Sequence, residues 1–306
     1  MSAPFDDIRT LAAGLPGPDE AARAACRDAL ARVETPARLG RLAETAEWLA
    51  AAQGRSPPRV VRPIVALYAA AHPGHTGGKD RLEALAAGQG AVSAVARQLG
   101  AGVEVFDLAA DRPIPDAAER AAMGERECAA TMAFGMEALA KTPDLLILGE
   151  SSPGAERAAG ALALALFGGA AHDWAAPAEV AWTTAAVERA RAEADGDPLE
   201  WLRQVGGRET AALVGAILAA GTQRTPVLLD GYAACAAAAV VQALQPGGLA
   251  HVMAGQVSPA PGHGRLLERL GLAPLLDLDV AGREGVGAAA AIGLVRLACA
   301  LAAEPA

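Results

Sequence analysis

Five short, largely apolar stretches punctuate this chain, at residues 62–71, 103–108, 144–150, 226–230 and 250–256. The third, Asp144-Leu-Leu-Ile-Leu-Gly-Glu150, shows the type, with apolar or small residues at every interior position and no alternation with polar ones. A run of that length without alternation predicts a strand buried on both faces, as in a parallel sheet. Between the runs lie longer, alanine-rich segments of helix-forming composition, at 88–100, 117–141, 155–166, 208–220 and 231–244. The alternation predicts an α/β fold: a doubly wound, mainly parallel, Rossmann-like sheet with helices on both faces.

The two ends read differently. Residues 5–53 have helical composition throughout. One helix is expected at 19–33, behind Pro16 and Pro18, and another from Thr35 as N-cap, with Pro36 in the first turn, through Leu49. Gly54-Arg-Ser-Pro-Pro58 is a linker. The alanine-rich tail predicts a last helix from about 286 to 303. The expected organisation is a core at 59–282 and a smaller helical subdomain. Residues 1–55 form the N-terminal part of that subdomain, and the C-terminal helix within 283–306 packs with it.

Composition narrows the functions open to such a fold. With 306 residues and 53% hydrophobic side chains, the chain can bury a large core. A net charge of −9 and 3% aromatics argue against a nucleic-acid partner, which asks for a basic or base-stacking face. The four cysteines, Cys26, Cys128, Cys235 and Cys299, are scattered without a C-x-x-C pair, so buried thiols in a reducing compartment are expected. Isolated histidines without paired helical spacing give no metal site. The acidic N-terminus lacks a signal pattern, and the apolar runs are short or interrupted by Gln242 or Arg296. A cytoplasmic protein with no membrane partner and no cofactor is expected.

Ligands of open α/β sheets sit beyond the C-terminal strand ends, and the chain places polar and small residues there. His72 follows the first strand, where it lines a pocket or is an ordinary turn histidine. Glu150, Ser151, Ser152 and Gly154 follow the third, Asp230 and Gly231 the fourth, and Ser258, Gly262 and His263 the fifth. Small-residue loops at 151–154 and 258–262 suit an anion. Near the C-terminus, Glu284 stands among Gly282, Gly285 and Gly287, which leave the backbone uncrowded for a flat ligand. Glu284 is a general base if it faces a closed pocket, or a carboxylate that complements the following helix.

The segments Gly206-Gly-Arg-Glu-Thr210, Pro226-Val-Leu-Leu-Asp-Gly-Tyr232, Ser258-Pro-Ala-Pro-Gly-His263 and Arg283-Glu-Gly-Val-Gly287, in this order and at these intervals, resemble the nicotinate-nucleotide:dimethylbenzimidazole phosphoribosyltransferase family. The resemblance is close over about 205–291 and looser over 35–150. It implies an enzyme of cobalamin lower-ligand synthesis, a homodimer, that moves 5-phosphoribosyl from nicotinate mononucleotide to a benzimidazole-type base. It also implies that Glu284, at the glutamate of the family's Arg-Leu-Gly-Glu-Gly-Thr-Gly, is the general base, with the other strand-end residues binding substrate. His72 matches the histidine of the family's Asp-His-Gly-Val, while Ala71 replaces its aspartate. The base-binding stretch after His72 is shortened to Thr76-Gly-Gly-Lys-Asp80. The nucleotide loop after Glu150 reads Ser-Ser-Pro-Gly-Ala-Glu-Arg, and the family's later glycine loop and lysine are replaced, with Arg157 the nearest substitute in sequence. Gln256 and Ala260 stand at the first histidine and the glutamate of its His-x-Ser-x-Glu-x-Gly-His. Arg283 adjoins the base. Those losses keep a second expectation open: a scaffold that has lost transfer and binds a related base, nucleotide or protein partner.

Overall fold

The computed structural model describes residues 3–281 and 284–304. Its sheet is built by the apolar runs: β1 (Pro63–Ala69), β2 (Gly102–Asp107), β3 (Leu145–Glu150), β4 (Val227–Leu229) and β5 (Val252–Ala254). All pairings are parallel and the order is β2-β1-β3-β4-β5. The expected doubly wound α/β fold is present, with order 2-1-3-4-5 and its switch point between β1 and β3. A second, two-stranded parallel sheet pairs β6 (Gln256–Val257) with β7 (Leu276–Asp277). It continues the fifth apolar run past Gly255.

Because side chains alternate across a strand, each strand serves two cores. Ile64, Ala66 and Tyr68 of β1, Leu146 and Leu148 of β3, and Val227 and Leu229 of β4 enter one cluster. That cluster includes residues of the helices Glu125–Gly135, Ala155–Phe167, Arg208–Thr222 and Gly231–Leu244. Val65, Leu67, Leu145, Ile147 and Leu228 enter the other, with Leu49, Leu85, Val92, Ile292 and Val295 from helices on the opposite face. A third, small cluster joins Cys26 and Leu30, Ala43, Ala46 and Ala50, and Ala298 and Ala302 of the last helix. The first helix, Pro4–Ala13, instead buries Phe5, Ile8 and Ala12 in the main core.

Three elements differ from the sequence reading. The helix expected at 117–141 begins only at Glu125, because Ala122 and Met123 donate their backbone N–H to Gln204 and Arg203 carbonyls. The helix expected from Thr35 is broken at Gly40, where φ is +52°, and restarts as Arg41–Gln53. The shortened segment at 76–80 opens an additional helix, Gly78–Ala86. The helix expected at 19–33 is present as Glu20–Val33, with Asp19 as its cap, accepting from Ala22 N–H at 2.9 Å. The run Val286–Ala303 is apolar and long enough to cross a membrane, yet 44% of it is buried inside the protein.

Candidate active site

At the switch point β1 leads away toward β2, while β3 leads toward β4. His72, just past β1, is 3% exposed, and its Nε2 lies 3.1 Å from Glu209 Oε1. Glu209 sits in the first turn of Arg208–Thr222 and is fully buried. Its side chain folds back over Gly207, where a Cβ would stand 2.0 Å from Oε1. Burial alone would raise the Glu209 carboxyl. The His72 charge and hydrogen bond, its own backbone N–H and the Thr210 hydroxyl outweigh burial and hold it below the usual carboxylate range.

The residues that follow β3 serve the strand ends. Glu150 accepts from Ser152 N–H, and Ser151 N–H donates to Tyr68 O at 2.9 Å. Ser152 Oγ accepts from Ala70 N–H at 2.8 Å, so that hydroxyl ties β3 to β1. Ser151 Oγ points the other way and donates to Glu284 Oε1 at 3.2 Å. Glu284 thus faces the switch point from across the cleft floor, rather than capping its helix from outside. Arg81 pairs with both its carboxylate oxygens.

Asp230 explains how Glu284 is held. Its buried carboxylate accepts from Gly285 N–H at 2.9 Å, Ala288 N–H at 2.7 Å and Gln256 Nε2 at 3.1 Å. It therefore caps the helix Val286–Ala290 from another element, fixing the turn that carries Glu284. Burial pushes its pKa up to about 7, against the pull of those donors. Gly231, φ +83°, starts the helix after β4. Gly285 and Gly287 were expected to clear space for a ligand, and protein fills that space instead. A Cβ on Gly285 would stand 2.7 Å from Val65 Cγ1, and one on Gly287 1.9 Å from Gln256 Cδ. Gly282 and Arg283 lie outside the described residues.

The 258–262 segment is tied down by His263. Its Nδ1 accepts from Ser258 N–H at 3.0 Å, which leaves the proton on Nε2, 3.3 Å from Cys235 Sγ. Burial lowers the His263 pKa to about 4, so the ring is neutral and structural in placement. Gly262, φ +85°, packs where a Cβ would meet Tyr232 Oη at 2.6 Å.

Two cavities open over these strand ends. One, of about 210 Å³, is lined by Gly154, Arg157, Trp174, Tyr232 and Pro261 among others. It brings the 151–154 and 258–262 segments together, at the N-terminus of the helix Ala155–Phe167. Arg157 reaches it while stacked 4.1 Å over the Trp182 ring and donating to Pro73 O at 3.3 Å. The other, of about 320 Å³, is lined by His72, Thr76, Lys79 and Asp80. His75 is half-buried and lines both cavities with Pro153. Glu284 lines neither, being covered by Arg81.

Arg81, Glu209, His75, Trp174 and Tyr232 were not singled out from the sequence. Each reaches the site by tertiary packing, and only Glu209 and Tyr232 lay inside quoted motifs. Four acidic side chains gather here, and three are sealed: Glu150 and Asp230 on backbone amides, Glu209 on His72. Glu284, with 18% of its side chain exposed, is the least buried of the four. Among the described residues no three His, Cys, Asp or Glu side chains gather around a metal position.

A doubly wound sheet with a carboxylate and two cavities at its switch point defines an α/β protein acting on small molecules. The chain belongs to the phosphoribosyltransferase family, whose pattern matches residues 15–306. It is 48% identical over 318 residues to the nicotinate-nucleotide–dimethylbenzimidazole phosphoribosyltransferase of Rhizobium etli (strain CIAT 652), covering 97% of this chain and 93% of that one. The protein of the same name from Sinorhizobium fredii (strain NBRC 101917 / NGR234) is 47% identical over 316 residues, with the same coverage. Among solved structures, that of nicotinate-nucleotide-dimethylbenzimidazole phosphoribosyltransferase from Thermus thermophilus superposes with TM-score 0.86 at 30% identity, covering 94% of this chain and 97% of that one. These likenesses support the enzyme reading over the scaffold reading.

Proposed function

We propose that the protein transfers 5-phosphoribosyl from nicotinate mononucleotide to a ring nitrogen of a benzimidazole-type base, releasing nicotinate. The observation that carries this reading is Glu284, a part-exposed carboxylate held at the switch point by the Ser151 hydroxyl and Arg81. In the transfer, the acceptor nitrogen's lone pair forms a bond to C1′ as the bond from C1′ to the pyridinium nitrogen breaks. The broken bond's electrons neutralise the pyridinium, so the leaving group needs no acid. The acceptor's second nitrogen gives its proton to Glu284, which prevents a cationic product.

The remaining assignments belong to the same proposal. The nucleotide lies toward the 210 Å³ cavity, where Gly154 and the following helix N-terminus suit a phosphate and Arg157 supplies charge. The base lies between that cavity and the 320 Å³ one, beside His72, with Glu150, Ser151, Ser152, Asp230, Gly231, Ser258, Gly262 and His263 shaping the floor and loops. Residues 20–53 and 286–303 form the small helical subdomain. The protein is cytoplasmic, with neither a nucleic-acid nor a membrane partner; four buried, unbridged cysteines support a reducing compartment. It is a homodimer, by likeness to the family; a monomer mass by light scattering at high micromolar concentration would remove that assignment.

The decisive test is Glu284→Gln. The amide keeps size and hydrogen bonding but cannot take the azole proton. Base-dependent nicotinate release should fall by about 10² to 10⁴-fold with the fold retained by circular dichroism. Equal rates in the two proteins would reject Glu284 as the base, and no release with any azole by the wild type would reject the transfer reading.

A further inference from the structure

The carboxylate that the chemistry needs open is closed by a second side chain. Arg81 grips both Glu284 oxygens, Nε donating to Oε1 and Nη2 to Oε2. A two-pronged guanidinium–carboxylate contact is among the strongest and most directional pairings available to a side chain. The arrangement is accommodated by the backbone. The guanidinium lies over Gly90, φ +96°, where even a Cβ would stand 3.1 Å from Nη2. Arg81 has 40% of its side chain exposed against 18% for Glu284, so the guanidinium is the layer between the carboxylate and solvent. It belongs to the helix Gly78–Ala86, whose first residues and preceding turn also wall the 320 Å³ cavity through Thr76, Gly77, Lys79 and Asp80.

We infer that Arg81 is a positioning residue that holds Glu284 while the acceptor site is empty and competes with the acceptor base for its carboxylate. The inference rests on Glu284 being the base. An azole N–H needs one carboxylate oxygen, whereas Arg81 holds two. Oε1 is also held by the Ser151 hydroxyl at 3.2 Å, so releasing Oε2 leaves the carboxylate anchored through Oε1. The acceptor therefore takes the place of Nη2 at Oε2 and delivers its proton there, while Arg81 Nε and Ser151 keep the group oriented. The exchange sets how tightly the acceptor binds and leaves the bond-making step to Glu284 alone.

The test uses the intact protein with Arg81→Met, which removes the competitor and keeps side-chain length, and Arg81→Lys, which can hold one oxygen but not both. Binding of 5,6-dimethylbenzimidazole is followed by its own fluorescence, and transfer by nicotinate release. Arg81→Met should tighten the base Kd and lower its KM about fivefold, the scale of a part-exposed ion pair. The KM for nicotinate mononucleotide should not change, kcat should fall modestly because Glu284 loses the Arg81 Nε contact that orients it, and Arg81→Lys should fall between. In a Glu284→Gln background the Arg81→Met effect on Kd should vanish. Unchanged or weaker base binding in Arg81→Met, or no binding by any of the proteins, overturns the inference. The two readings fail separately. If base binding responds to Arg81 but no nicotinate is released, the transfer assignment falls and Arg81 as competitor stands. If transfer proceeds with identical base KM in all variants, the reverse holds.

Discussion

At the scale of single residues, similar carboxylates have been given dissimilar surroundings. Glu284 and Asp230 were both placed at the ligand side by strand-end position and family resemblance, which report where a residue lies in the chain and not which way its oxygens turn. Asp230 turns inward to three donors, whereas Glu284 meets side chains from two other elements. Asp230→Asn separates these roles. Asn Oδ1 can accept from Ala288 N–H and Gln256, but its NH₂ then faces Gly285 N–H, leaving a buried donor unmet. An unsatisfied buried donor costs about 1–3 kcal/mol. The urea midpoint should drop accordingly, and nicotinate release should fall because the Glu284 turn loses its anchor. An unchanged midpoint with full activity would show that the Asp230 cap is dispensable. Arg81 lay beyond sequence reasoning for a simpler reason, since 203 positions separate it from the carboxylate it grips.

At the scale of elements, the five strands were legible because a parallel strand buried on both faces cannot hide its composition. Helix limits were less so. The segment at 117–124 has helix-forming residues, but the N–H groups of Ala122 and Met123 are claimed by the C-terminal end of Pro198–Val205, a contact absent from the local sequence. The glycines inside apparently helical runs carried information that composition alone does not reveal. A Cβ on Gly135 would stand 2.0 Å from Ala212 O, and one on Gly215 1.9 Å from Met132 O. The helices Glu125–Gly135 and Arg208–Thr222 therefore touch backbone to backbone, and the second of them delivers Glu209 beneath His72. The shortened segment after His72 read as a loss. It opens a helix that walls one cavity and carries Arg81.

At the scale of the whole molecule, the sheet order determines where chemistry gathers, and the burial of titratable groups makes stability depend on pH. His251 and His263 are both buried, with pKa values lowered by that burial to about 4 from the ordinary 6.5. Between those values the unfolded chain binds two protons that the folded protein refuses, so these histidines make stability fall as pH falls through the window. Asp230 acts in the opposite sense. Its pKa is pushed up to about 7 from 3.8, so the folded protein keeps a proton the unfolded chain gives up, and that contribution is lost as pH rises through about 7. Two protons against one leave a net uptake of about one proton on unfolding between roughly pH 4 and 6.5, a slope near 1.4 kcal/mol per pH unit. Glu209, held below the usual carboxylate range, adds to the loss at the acid end. Urea denaturation at intervals from pH 6.5 to 4.5 should show stability falling steadily. His251→Gln tests the accounting away from the site, because that ring donates only to Ile217 O, at 2.9 Å, and an amide can do the same. Removing one of the two histidine protons should bring the slope close to zero across the window. A slope in His251→Gln as steep as that of the wild type would mean that exposed carboxylates, rather than the buried rings, govern the acid limb.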